Sequence, residues 1–232
     1  MKYQCVATSV AGFVQQVAVQ YVAHGYRWYV EGWIPESKSR EAVLEKLVGV
    51  YGITHDKTER WRRKRRGVPN VQLLCFERHW VLLATKGDQW RDHSFYRTYS
   101  SYRPASKDLP ERRGYKDLAK HPLQFEGYSI GWSNGHPSVR IARSVYLREK
   151  AYFEERATKW RGDLLVEELR RRLLRFEQYA PVRTQLGRVV RAVNRERKMA
   201  GYSPVPKTVL WRDRRIYRPF EPLECERLEE AA

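Results

Sequence analysis

The feature that most constrains the fold of this 232-residue chain is a change of period near residue 146. Before it, short runs rich in aromatic and β-branched residues alternate with stretches whose apolar residues recur every three or four positions. After it, only the helical period remains. Strands first and helices later point to an α+β fold. The expected architecture is a mixed β-sheet drawing on six strands, with N-terminal β-α-β-α units, two hairpins and a helical C-terminal segment. Three parts follow from it: an α+β sheet domain over residues 1–145, a basic helical segment over 146–220 packed on it, and an acidic stretch over 221–232. The order β-α-β-α-β-β departs from the β-α-β-β-α-β of ferredoxin-like folds.

Local signals set the expected boundaries. Residues 3–8 are β-prone, and Ser9 offers an N-cap to a helix carrying Val10, Val14, Val17 and Tyr21 on one face and ending at Gly25. Residues 26–34 read as a strand closed by Pro35. Ser37 or Ser39 caps a second helix, with Val43, Leu44, Leu47, Val48 and Tyr51 as its buried stripe and Gly52 as its stop. Residues 57–66 are expected to form a solvated loop or extension, and residues 71–76 and 80–85 a hairpin turning at 77–79. Residues 88–120 show no sustained period over most of their length, which is long for a connection within a compact domain and suggests a functional or mobile excursion. A second hairpin, 123–132 with 138–145, turns at Ser133, Asn134 and Gly135. Helices are then expected at 147–160, from 164 onward, and at 183–199, separated by Gly162 and Asp163 and by Pro181 and stopped by Gly201.

Charge narrows the class of partner. Lys and Arg number 45 against 27 Asp and Glu, a net +18, yet the chain is 42% apolar and 13% aromatic and can build a core. The last twelve residues hold five glutamates against Arg227, a net −4, so the other 220 carry +22. Nucleic acid is the expected partner, with an acidic protein or a larger ribonucleoprotein assembly as the alternative. Cys5, Cys75 and Cys225 are too few and too far apart for a disulfide framework or a Cys-based zinc site, which favours a cytoplasmic location. No apolar run approaches the roughly 18 residues of a membrane span, so no membrane is expected, and residues 1–9 lack the layout of a signal peptide.

Three patches fit a nucleic-acid chain. The first is Arg60, Trp61, Arg62, Arg63, Lys64, Arg65 and Arg66, a basic run holding an aromatic ring for base stacking. The second interleaves Trp90, Arg91, Tyr96, Arg97 and Tyr99 with Phe95, Tyr102 and Arg103, a composition better suited to unpaired bases than to a duplex groove. The third lies on the last helix, where Arg188, Arg191, Arg195 and Lys198 share the side opposite Leu186, Val189, Val190 and Val193, and Arg197 falls near the apolar side. Brought together by folding, the three would make one composite surface for RNA or single-stranded DNA.

Catalytic signatures are sparse. One histidine, His79, stands where two separated by a single apolar residue would mark a replication-initiator or transposase nuclease. No phosphate-binding Gly-rich loop and no Gly-x-Ser-x-Gly elbow occurs. Two arrangements keep an endonuclease or phosphoryl-transfer alternative open, in RNA processing or in a mobile element. Asp88, Asp92 and His93 with Glu126, taken to lie on a later strand, would hold a divalent metal for phosphodiester hydrolysis. Without a metal, His79 or His136 with Tyr128 and Arg140 would serve as acid, base and cationic stabiliser. No motif identifies any other cofactor. The acidic stretch is expected to fold back over the cationic surface.

Overall fold

The computed structural model describes residues 3–87, 116–212 and 217–220. The chain has the expected α+β class, with two sheets where one was expected. Its described residues form two compact units. One comprises those of Met1–Pro122, Gly131–Pro137 and Tyr217–Ala232, the other those of Leu123–Ile130 and Ser138–Ile216. Parts of the second hairpin thus group with the C-terminal helices.

In the first unit, strands β1 (Val6–Ala7), β2 (Tyr26–Trp33), β3 (Val71–Phe76), β4 (His79–Thr85) and β5 (Lys116–Asp117) form a mixed sheet in the order β1-β3-β4-β2-β5. β1 is parallel to β3, and the other pairs are antiparallel. The β3–β4 hairpin is as expected, with Glu77 at φ 50° in its turn and Cys75 opposite Trp80. Both strands are nearly continuous buried runs because both faces are covered. Helix α2 (Arg40–Tyr51), capped by Ser39, covers the face bearing Val30, Leu73, Cys75, Trp80 and Leu82. Helix α1 (Val10–Gln15), capped by Ser9, covers the other, where the Phe13 ring lies 6.2 Å from His79. α1 runs on through a π-helical turn, Gln16–Tyr21, and stops at Gly25, whose φ of 94° costs a glycine little. Cys5 and Cys75 are buried, and burial pushes their thiols up to about 11 and about 12.

Several expectations need correction. Residues 57–66 are not a loop: Lys57–Arg65 is helix α3. Lys, Arg and Glu are good helix formers, Asp56 accepts a hydrogen bond from the Glu59 N–H at 2.6 Å, and four cations in the last turn offset the negative end of the helix dipole. The β-prone run at 3–8 pairs only over Val6–Ala7. The run at 123–132 is two strands, β6 (Leu123–Phe125) and β7 (Tyr128–Ser133), broken where Glu126 and Gly127 turn at φ 43° and 81°. With β8 (His136–Ile141) they make a separate three-stranded sheet, order β6-β7-β8. The turn at Asn134 and Gly135, both at positive φ, is as expected. Of the aperiodic stretch, residues 88–115 lie outside the described residues.

The C-terminal helices begin earlier than their apolar stripes suggest. They are α4 (Arg143–Arg156), α5 (Gly162–Leu173) and α6 (Ala180–Met199), and Pro181 sits in the first turn of α6, where its missing N–H costs nothing. Leu165, Leu169 and Leu173 of α5 and Leu186, Val189 and Val193 of α6 are buried. Glu149 of α4 is 1% exposed and is held by Arg172 at 2.9 and 3.0 Å and by Arg175 at 3.2 Å. The buried Arg197 donates to the carbonyls of Ser203 at 2.7 Å and Ala157 at 2.8 Å, a structural use that explains its place off the cationic row. Among the described residues, no helix is long and apolar enough to cross a membrane.

Candidate nucleic-acid interface

Helix α3 has no buried residue, so apolar burial does not hold it in place. Its own arginines do. The Arg60 guanidinium donates to the His55 carbonyl at 2.6 Å and that of Arg63 to the Pro69 carbonyl at 3.0 Å. The Asn70 amide donates to the Arg60 carbonyl at 2.8 Å, and the buried Asn70 backbone is tied to Thr85 of β4 at 3.0 Å. Arg60 and Arg63 are thus struts that fasten the helix to the start of β3. Glu59 partners Arg66 at 2.8 Å and Arg62 at 3.9 Å.

Lys57, Lys64 and Arg65 stand three or four positions from Trp61 along the helix and so flank its ring, and all four side chains are exposed. Trp61 is 57% exposed, and the Arg65 guanidinium lies over its ring, 4.8 Å from the centroid. Among the described residues, neither Lys57 nor Lys64 has a carboxylate within salt-bridge distance. A flat apolar ring ringed by cations on a rigid rod can stack a base and hold the flanking phosphates at once. Arg60 and Arg63, which the sequence places in this group, each donate one of these hydrogen bonds to the fold, and Lys57 adds a cation beside Trp61.

The aromatic and basic residues Trp90, Arg91, Tyr96, Arg97 and Tyr99 lie outside the described residues. The chain enters that stretch beside α3, since a Cβ on Gly87 would stand 2.6 Å from the Gly67 carbonyl oxygen and from Pro69. It returns at Lys116, which pairs with Tyr29 of β2.

In the second unit, Arg188, Arg191, Arg195 and Lys198 of α6 are all exposed along one side, as the periodicity implied. Arg195 bridges Glu154 at 3.3 Å and Glu196 at 2.9 Å. The other three have no carboxylate partner among the described residues, and the row from 188 to 198 spans about 15 Å.

The candidate catalytic residues fare differently. Asp88, Asp92 and His93 lie outside the described residues. Glu126 is exposed in a turn of the second unit, not on a strand, because its positive φ ends β6. Among the described residues, no three His, Cys, Asp or Glu side chains cluster closely enough to hold a metal. His136 is exposed, its Nδ1 3.2 Å from the Pro137 carbonyl. Tyr128 is buried, and its hydroxyl accepts from the Glu177 N–H at 2.8 Å, so it serves the fold; Arg140 donates to the Ser138 hydroxyl at 3.2 Å.

His79 has partners that sequence reading missed. Its Nε2 lies 3.3 Å from the Glu31 carboxylate, which also accepts from Lys116 at 3.0 Å. Burial pushes the Glu31 carboxyl up, but hydrogen bonds from His79 and Lys116 and their charges outweigh it and hold the group below the usual range. The signal for this pair was the antiparallel register that sets Trp33 opposite His79 and Glu31 opposite Val81, which a linear reading does not contain.

Comparison with family models, curated proteins and solved structures finds no match to this chain.

Proposed function

We propose that the protein binds single-stranded or irregularly folded nucleic acid, RNA or single-stranded DNA, using the exposed face of α3 around Trp61 together with the aromatic and basic stretch that begins after Gly87, itself beside the end of α3. The observation that carries this reading is Trp61, exposed, stacked by Arg65 and flanked by Lys57 and Lys64 on a helix that buries nothing. An exposed indole has an unfavourable contact with water, and cations that repel one another gain from a polyanion. The exposed α6 row of the second unit supplies phosphate contacts of its own.

The test is direct. Nucleic acid that co-purifies with the protein at low salt is measured by absorbance ratio and sequenced, and binding of single-stranded and duplex oligonucleotides is titrated against salt. Tighter binding of single strands with a steep salt dependence supports the reading. Affinity for neither at about 150 mM salt, where specific complexes persist, removes it and leaves the acidic-protein alternative.

The phosphoryl-transfer alternative is favoured by one observation, the Glu31 carboxylate that orients His79 as a carboxylate orients a catalytic histidine. Under that reading His79→Ala ends cleavage and leaves binding intact; no cleavage of any substrate with magnesium, manganese or zinc present removes it.

A further inference from the structure

Helix α2 and the end of β2 leave an apolar trough of about 370 Å³, with Trp80 in its lining. Ala42, Val43, Leu47 and Val50 line it from the helix at a spacing that follows one seam, and Trp33 and Ile34 line it from the strand. It is open: Trp33 is 60% exposed and Val50 38%. The charged side chains that line it are Lys38 and Lys46, with no carboxylate among the lining residues.

The geometry points to an occupant within the same chain, the acidic stretch 221–232, which docks in this trough in cis. Two independent observations carry it. The first is complementarity. The stretch is the one part of the sequence with a strong negative balance, −4, and it brings Leu223 and Leu228 between its glutamates, apolar groups for the floor and carboxylates for the exposed Lys46. The second is reach. The described chain ends at Pro219 and Phe220, and the Pro219 Cα would lie 2.9 Å from a Cβ on Gly12. From the neighbouring Phe13 the ring of His79 is 6.2 Å away, and from His79 the Trp33 ring of the trough is 6.3 Å. The straight-line separation is therefore at most on the order of 25 Å, whereas twelve residues span up to about 40 Å extended and about 18 Å as a helix. The basic face of α3 is a poorer destination, since α3 is fastened at the opposite end of β3, near Asn70.

The closing experiment uses the full chain without nucleic acid and is independent of the binding reading. Arg227 lies within the stretch, so trypsin cleavage after it, followed by mass spectrometry, reports how often the stretch is released. Ala42→Trp fills the trough, and Lys46→Glu reverses an exposed charge that the core does not need. Both variants are expected to cleave after Arg227 at least about fivefold faster than the unaltered protein, with a rate independent of protein concentration, because cleavage follows the open population. Equal rates in all three proteins overturn the proposal. Protection that grows with protein concentration also overturns it, since the stretch would then dock on a second copy.

Discussion

Trp61 is exposed and lies under the guanidinium of Arg65 on the same helix, so its removal tests binding without disturbing stability. Trp61→Ala is expected to weaken single-stranded RNA or DNA binding by about 1–3 kcal/mol, the value of one base stack, with an unchanged melting temperature. Fluorescence anisotropy and thermal unfolding together check this. Glu31 makes the opposite kind of prediction, one about stability. Its folded carboxyl is lowered, so its contribution is complete above the unfolded value of about 4.3 and is lost as pH falls through the folded one. Glu31→Gln is expected to flatten the acid limb of stability below about pH 5, measured by denaturant unfolding at stepped pH.

The helices show how an element's role depends on what it is fastened to. α3 and α6 are both basic, but α6 buries Leu186, Val189 and Val193 and shows its cations by amphipathicity, whereas α3 is mounted on arginine struts. Replacing Lys57, Arg62, Lys64 and Arg65 of α3 by Gln is expected to reduce the salt slope of single-strand binding by about 3, at roughly 0.7 for each phosphate that is no longer neutralised. Within the second unit, Glu149 ties α4 to Arg172 of α5 and to Arg175. Glu149→Gln leaves two guanidinium groups facing a neutral amide, and a loss of about 3–5 kcal/mol is expected, read as a lowered melting temperature with near-UV circular dichroism confirming the native fold below it.

For the whole molecule, counterion release counts the phosphates neutralised, so cations on the two units contribute to one sum wherever they lie. Gln at Arg188, Arg191 and Lys198 is expected to lower the salt slope by about 2, and combining these with the α3 changes is expected to lower it by the total of both sets. A slope that the α6 changes leave untouched assigns binding to the first unit alone.

The sequence by itself determined the class of fold, the hairpin at Val71–Phe76 and His79–Thr85, the Asn134–Gly135 turn and the exposed row on α6. These are local matters: side-chain period, positive φ at Asn and Gly, and the 100° step of a helix all act within a few residues. Tertiary structure decided the rest. That residues 57–66 are a helix rather than a loop depended on a cap and on carbonyls supplied by His55 and Pro69, not on an apolar stripe. Which arginines fasten α3, and that His79 and Lys116 meet Glu31 across 48 and 85 residues of chain, followed from strand register and anchoring. Charge is written along the chain, but its partners are chosen by contacts between distant segments, and a count of cations does not say which of them the fold has already used.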